Sequence, residues 1–167
     1  MATALVLCVS GCGEQTSTDS AAPRPEPAVD TAGIEAAEST LRGFFAVKGR
    51  AEDAIGVRID QQSVFLTSRD VHPAAASESS MRDRPSGVTD SAVSVELSNP
   101  RWVGDAIRID FAFDSTGVSY PTIGGEVQLD EGTPQISHWN GTATLQNRNG
   151  EWLIDELSID SYGGEVG

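Results

Sequence analysis

The feature that most constrains the fold is a pattern of alternating apolar and polar residues near the end of the chain, between positions 135 and 160. Its apolar members occupy every second position, which predicts a β-strand with one buried face; they are Trp139, Gly141, Ala143 and Leu145. Asn149-Gly150 follows, and both residue types tolerate the positive backbone φ of a tight hairpin turn. Residues 151–155 then begin a return strand. The sequence therefore predicts two antiparallel strands joined by a hairpin turn.

Three earlier segments show the same period of two and are also expected to be strands: residues 93–97, 107–113 and 123–129. Each is followed by residues typical of a break or a turn; these are Asn99-Pro100, Ser115-Thr116-Gly117 and Asp130-Glu131-Gly132. Asn140-Gly141 is a further possible hairpin turn. Because the alternation continues in register through it, we prefer one long strand that bends there.

The residues before the strands show helical spacing instead. Asp30 or Thr31 can cap a first helix that ends near Lys48-Gly49 and has an apolar stripe; the stripe consists of Ile34, Leu41, Phe44 and Phe45. A short second helix is expected from Ala51, a third helix or turn over residues 60–68, and a loop over residues 74–90. Helices first and strands second predict an α+β domain, with the N-terminal helices packed on one face of a mostly antiparallel sheet.

The N-terminus has the features of an export signal. Its apolar run, residues 2–9, is too short to span a bilayer. The sequence Val9-Ser10-Gly11-Cys12 resembles the lipobox of bacterial lipoproteins. That resemblance implies a signal peptide over residues 1–11 and a diacylated Cys12 as the first mature residue. Two acyl chains hold a protein stably at a membrane, whereas one chain binds only marginally. We therefore expect an extracytoplasmic protein anchored to the cell membrane.

Residues 12–30 are rich in Ser, Thr, Ala, Pro and acidic residues, with prolines at positions 23, 25 and 27. A segment of this composition cannot bury much apolar surface and is typical of a disordered tether. It would hold the following domain, residues 31–167, away from the membrane.

The chain is strongly acidic, with 25 Asp and Glu residues against 11 Lys and Arg residues and a net charge of −14. Binding to a nucleic-acid backbone needs clustered cations, which the sequence lacks. The composition therefore argues against a nucleic-acid partner, and we expect the membrane contact to be made through the lipid anchor.

The order of the elements resembles that of the nuclear transport factor 2-like superfamily. The likeness also includes the segment Leu41-Arg42-Gly43-Phe44-Phe45 and the closing segment Asn149-Gly150-Glu151-Trp152-Leu153-Ile154, and it covers about residues 31–160. It implies a cone in which a curved sheet wraps a long helix. Lipid-anchored and secreted bacterial members of this superfamily serve as accessory proteins of the cell envelope, which agrees with the expected anchor.

Catalytic relatives, such as ketosteroid isomerases and SnoaL-like cyclases, place a carboxylate or a histidine inside the cone as a general base. In this chain Asp110, Asp114 and His138 alternate away from the apolar rows and are expected to face outward. His72 precedes Pro73 in a predicted loop, and Asp60 and Asp155 are the remaining candidates. We assign no catalytic residue. The sequence also lacks metal-ligand spacing and a phosphate-binding glycine loop, so no metal and no cofactor are predicted.

Several aromatic residues are candidates for the lining of a pocket at the open end of a cone, or alternatively for its core; they are Phe45, Phe111, Tyr120, Trp139 and Trp152, with Trp102 beside them. We expect a non-catalytic cell-envelope protein that binds a protein partner or an apolar small ligand. The alternative is a small-molecule lyase or isomerase of the SnoaL-like type. A buried carboxylate or histidine in an open cavity would favour the enzyme.

Overall fold

The computed structural model describes residues 30–166 of the chain. Its helices are α1 (Thr31–Ala46), α2 (Ile55–Ser63) and α3 (Ala75–Met81), with a 3-10 helix, Arg69–Val71, between α2 and α3. Its strands are β1 (Val88–Val103), β2 (Ala106–Ser119), β3 (Thr122–Ile123), β4 (Glu126–Val127), β5 (Thr133–Arg148) and β6 (Glu151–Val166). The predicted signal peptide, Cys12 and the tether before Asp30 lie outside the described residues. Within residues 30–166, no helix is both long enough and apolar enough to cross a membrane.

Four long strands form one sheet in the order β1-β2-β5-β6, and each neighbouring pair is antiparallel. The two short strands, β3 and β4, pair only with each other. The three helices pack on the four-stranded sheet, and α1 contacts β1, β2 and β6. The predicted α+β class and the predicted order of helices before strands are confirmed.

Helix α1 begins where the sequence predicted, because the Asp30 side chain accepts a hydrogen bond from the Gly33 backbone N–H at 3.0 Å. Its apolar stripe is buried against the inner face of the sheet, which we define as the face that carries Ile109 and Phe111. One continuous core results; its members are Ala37, Leu41, Phe44, Phe45, Leu66, Ile107, Ile109, Phe111, Phe113, Ala143, Leu145, Trp152 and Ile154.

The predicted hairpin between β5 and β6 is confirmed, since Asn149 and Gly150 have φ values of 58° and 96°. Strand β5 continues through Asn140-Gly141, and the pairing register with β6 shifts at that point, as expected for a bent strand. Gly141 is needed there because a Cβ atom would lie 2.0 Å from the Ser158 carbonyl oxygen. The glycine therefore marks a close approach of two strands and not a turn.

Two predicted breaks in the strands are wrong. Asn99-Pro100 does not end β1; it forms a bulge at which the register with β2 shifts, and Asn99 has a φ of 52°. Residues 115–117 are not a turn, because β2 continues to Ser119. At Gly117 a Cβ atom would lie 1.8 Å from the Thr89 carbonyl oxygen, so this glycine also serves a close approach of strands.

The expected strand over residues 123–129 is also wrong. Gly124 and Gly125 have φ values of 63° and 91° and form a turn between β3 and β4.

The helical segments also differ from the prediction. The second and third predicted helices are replaced by the single helix α2. Ile55 and Ile59 are four residues apart on one face of this helix, and Ile59 is buried.

The loop expected over residues 74–90 contains α3, and its end already belongs to β1. Helix α3 is stabilised by an ion pair between its own residue Glu78 and Arg69, which precedes the helix. The Arg69 Nε–H donates to Glu78 Oε2 at 2.8 Å, and Arg82 also bonds to the Glu78 carboxylate. Local sequence did not reveal this helix because its main anchor, Arg69, belongs to the preceding element.

Candidate ligand-binding site

A cavity of about 340 Å³ lies between the helices and one end of the inner face of the sheet. Its lining comes from eight parts of the fold: Phe44, Phe45 and Val47 from α1 and its end; Ile55, Arg58, Ile59 and Gln62 from α2; His72, Pro73 and Ala74; Ser86; Val88 and Asp90 from β1; Phe113, Ser115 and Gly117 from β2; Gln135, Ser137 and Trp139 from β5; and Tyr162 from β6. The volume is near the lower end of the range for small-molecule pockets, about 300–1,000 Å³.

Antiparallel pairing arranges the sheet wall of this cavity in three successive rows. The aromatic row contains Phe113, Trp139 and Tyr162, which are paired across β2, β5 and β6. The serine row contains Ser115 and Ser137, which lie directly opposite each other on β2 and β5. The third row contains Asp90, Gly117 and Gln135. The wall thus changes from aromatic to polar over four residues of each strand.

The apolar end of the cavity is a continuous set of aromatic contacts. Phe45 of α1 stacks on Phe113 with ring centroids 4.8 Å apart, and Phe113 contacts Trp139 at 5.3 Å. Trp139 in turn contacts Tyr162 at 5.9 Å. Tyr162 is 63% exposed, so this end of the aromatic row reaches the protein surface.

The opposite end carries the charged residues of the lining. Arg58 Nη1 lies 3.7 Å from Asp90 Oδ2, and Arg58 Nη2 donates to the Val88 carbonyl oxygen at 3.0 Å. Two buried N–H groups on lining side chains, Arg58 Nε and Trp139 Nε1, have no hydrogen-bond acceptor among the described residues. Both N–H groups are enclosed by the protein and so are not exposed on the cavity wall.

His72 lies in the predicted loop, between the 3-10 helix and α3, and its side chain lines the cavity. The side chain is 9% exposed, and burial lowers its pKa below the ordinary value of 6.5. Its Nε2 is 2.8 Å from Gln62 Oε1, and its Nδ1 accepts a hydrogen bond from the Ala74 backbone N–H at 3.1 Å. These partners fix a neutral ring with the proton on Nε2. Both ring nitrogens are therefore occupied by the protein.

The other acid–base candidates do not line the cavity. Asp60 binds Arg69 and Arg82 on the helical surface, and the hydrogen bond with Arg69 is the main cause of its lowered pKa. Asp155 accepts hydrogen bonds from Thr67 Oγ1 and Gln146 Nε2, each at 2.9 Å.

Three polar strand residues face outward as the alternation predicted. Asp110 accepts a hydrogen bond from Asn99 Nδ2 at 3.0 Å, and Asp114 pairs with His138. About half of the side-chain surface of Asp114 and of His138 is exposed. These groups therefore lie on the opposite face of the sheet from the cavity.

The predicted pocket residues separate into three groups. Phe45 and Trp139 line the cavity, whereas Phe111 and Trp152 are packed in the core and Tyr120 lies beyond the end of β2. Trp102 packs on Trp152, with ring centroids 5.6 Å apart.

Sequence reasoning missed several lining residues, among them Phe44, Phe113, Arg58, Ser115 and Ser137. A signal for the two serines was present. Both occupy positions in phase with the buried apolar rows, where a polar residue is unexpected.

No group of three or more His, Cys, Asp or Glu side chains within residues 30–166 is arranged to hold a metal ion. No protein-family model matches the chain, and no curated protein sequence matches it. The features of the chain that bear on its function are therefore the geometry of the cavity and the N-terminal sequence.

Proposed function

We propose that this chain is a lipid-anchored, non-catalytic protein of the bacterial cell envelope that binds a small, largely apolar ligand. The observation that carries this proposal is the cavity of about 340 Å³ with Phe45, Phe113 and Trp139 on its walls. Pockets for small molecules combine aromatic walls with a few polar groups that orient the ligand, and this lining has both. The cavity favours a small ligand over a protein partner as the bound molecule.

The anchor in this proposal is Cys12, which follows Val9-Ser10-Gly11 as in a lipobox. The first helix begins at Thr31, so the chain provides a polar, proline-containing segment between the acylated residue and the folded domain. The domain would then stand away from the lipid headgroups. Its acidic composition also agrees with attachment by acyl chains and not by basic residues.

We further propose that the domain belongs to the nuclear transport factor 2-like superfamily and that its sheet curves into a cone around α1. Support comes from the order of three helices and then four long antiparallel strands. The packing of α1 against β1, β2 and β6 also agrees with a sheet that wraps a helix. The closing hairpin, with Trp152 and Ile154 buried in the core, supports the same assignment.

The non-catalytic assignment rests on the surroundings of the titratable groups in the lining. A general base needs a free lone pair within reach of the substrate. The Nδ1 lone pair of His72 is already engaged by the Ala74 N–H, and the Nε2 proton is directed to Gln62. Asp90 is paired with Arg58. Each of these groups is held in a role that stabilises the fold.

A lyase or isomerase is the second candidate, because one observation favours it: a buried, neutral histidine lies on the wall of the cavity. If His72 were the base, His72→Gln would keep the hydrogen bond to Gln62 or Ala74 but abolish the function. Complementation of a deletion strain distinguishes the two. We expect His72→Gln and the outward-facing control His138→Gln to complement equally at equal protein levels, whereas loss of function only in the folded His72 variant would favour the enzyme.

Ligand binding is tested directly with N-phenyl-1-naphthylamine, an uncharged dye whose fluorescence rises in an apolar site. We expect a saturable rise with the wild-type domain. Ser137→Phe places a ring inside the cavity and should abolish the rise, whereas Ser94→Phe places the same ring on the exposed outer face of β1 and should leave it unchanged. Equal fluorescence in the wild type and in the folded Ser137→Phe variant would refute binding in this cavity.

A further inference from the structure

The polar groups of the cavity are concentrated at one end, and this asymmetry contains information on the ligand. Along β2 the inner face presents Ile109, Phe111 and Phe113 and then changes to Ser115. Along β5 it changes from Trp139 to Ser137 at the same row, because Ser115 and Ser137 are direct cross-strand partners. Two hydroxyl groups therefore stand together where the pattern of each strand would place apolar side chains.

These hydroxyl groups have no compensating contact within the described part of the protein. Ser115 is only 6% exposed, and neither serine side chain forms a hydrogen bond with another described residue. Neither Oγ atom is among the fully enclosed side-chain atoms that lack a partner, so both hydroxyl groups remain accessible from the cavity. Directly opposed residues on antiparallel strands have Cβ atoms about 4.5–5.5 Å apart, so one oxygen atom placed between the two serines can bond to both.

The charged residues of the lining indicate whether that oxygen belongs to an ion. Arg58 is the one cationic and Asp90 the one anionic side chain among the residues that line the cavity. They face each other at 3.7 Å and so offset each other's charge. A net charge on the ligand would have to be desolvated without a free counter-ion, which is costly in a partly buried site.

We infer that the ligand is an uncharged amphipathic molecule whose ring or short chain packs on the aromatic row and whose hydroxyl or carbonyl oxygen bonds to Ser115 and Ser137. This inference deepens the proposed ligand-binding function and rests on it. It makes the serine row the specificity-determining part of the cavity. The aromatic row supplies the apolar contact area, and the serines select the orientation of the ligand.

The test compares three naphthalenes of similar shape as competitors of bound N-phenyl-1-naphthylamine at neutral pH: 2-naphthol, 2-methylnaphthalene and 2-naphthoate. A purely apolar cavity prefers the methyl compound, because burial of an unpaired hydroxyl is unfavourable. The serine row reverses that order. We expect 2-naphthol to bind more tightly than 2-methylnaphthalene, by about 2- to 12-fold for each hydrogen bond formed, and 2-naphthoate to bind most weakly.

Ser115→Ala and Ser137→Ala, singly and together, should remove the preference for 2-naphthol and leave binding of 2-methylnaphthalene unchanged or tighter. Ser94→Ala, on the outer face of the sheet, is the matched control and should keep the preference. A preference for the methyl compound in the wild type, a preference for naphthol that survives in the double variant, or tightest binding of naphthoate would each overturn this inference while ligand binding stands. If the dye itself does not bind, the proposed function fails, and this inference with it.

Discussion

Among the single side chains, His72 shows most clearly how a local environment sets a chemical role. The sequence places it before a proline, a position typical of a surface loop. The fold instead packs its ring near Phe44, with ring centroids 6.1 Å apart, and engages both of its nitrogens. Desolvation lowers its pKa, and the nearby Arg69 acts in the same direction, whereas Glu78 opposes the shift.

This environment predicts a pH dependence of stability. Because the pKa of His72 is lower in the folded state than its ordinary value of 6.5, the unfolded chain binds a proton first as the pH falls. The contribution of His72 to the free energy of unfolding should have its full value above pH 6.5. It should decrease as the pH falls below 6.5 and level off once the pH is below the folded-state pKa. The slope from this residue cannot exceed about 1.4 kcal/mol per pH unit.

Urea unfolding at closely spaced pH values between 7.5 and 5.5 measures this dependence. His72→Gln should be less steep than the wild type over that interval, because glutamine does not titrate. An unchanged slope in the His72 variant would show that the ring is not desolvated in the folded protein.

Cys12 is the residue on which the proposed location depends. If it carries two acyl chains, Cys12→Ala should move the protein from the detergent phase to the aqueous phase on partitioning. Cys8→Ala is the matched control and should not change the distribution, since Cys8 lies in the segment that is expected to be removed. A Cys12→Ala protein that remains in the detergent phase contradicts lipidation at this residue.

Among the elements, the long strands depend on irregularities that a simple period of two does not contain. Strand β1 passes through a bulge at Asn99-Pro100, and β2 passes close to β1 at Gly117. Both features locally disrupt the pairing but keep the inner face continuous on either side. The chain thereby forms strands of 14 to 16 residues with one buried face.

The β5–β6 hairpin is the element that closes the core, and Trp152 is its main contact. The side chain is 8% exposed, and the Trp152 carbonyl oxygen accepts a hydrogen bond from Thr40 Oγ1 of α1 at 2.9 Å. Trp152→Ala should lower the free energy of unfolding by about 3–5 kcal/mol. Small domains have a total stability of only about 5–15 kcal/mol, so the variant should melt at a much lower temperature.

Trp102→Ala is the control for this experiment, because Trp102 is 39% exposed and its truncation should cost less. Calorimetry of the two variants and the wild type provides the comparison. Equal melting temperatures for Trp152→Ala and the wild type would mean that the Trp152 side chain is not buried.

For the whole molecule, the position of the core predicts that the folded domain is independent of the N-terminal segment. The described core residues lie between Ala37 and Ile154. A chain shortened to begin at Val29 should therefore have the same melting temperature as the full-length Cys12→Ala protein.

In that shortened chain Asp30→Ala should cost about 0.5–2 kcal/mol, because it removes the N-cap of α1. Differential scanning calorimetry measures both effects. A lower melting temperature after the truncation alone would show that residues 1–28 contribute to the fold.

The sequence by itself determined the elements that repeat a simple local pattern. The apolar stripe of α1, the alternation in β2 and β5 and the Asn149-Gly150 turn each depend on a few neighbouring residues, because side-chain direction follows the backbone period. These patterns were sufficient for the α+β class and for the outward direction of Asp110, Asp114 and His138. They were also sufficient to place Phe45 and Trp139 among the candidates for a pocket.

Only the tertiary structure decided which of these residues form one site. Ser115 and Ser137 are 22 positions apart and meet through the register of β2 with β5. His72 reaches the cavity wall because α1 and α2 supply the partners Phe44 and Gln62, and α3 forms because Arg69 binds Glu78 across a loop. Register and helix docking are properties of contacts between distant segments, and no periodicity within one segment contains them. The aromatic residues therefore divided between core and cavity only when the sheet and the helices had packed.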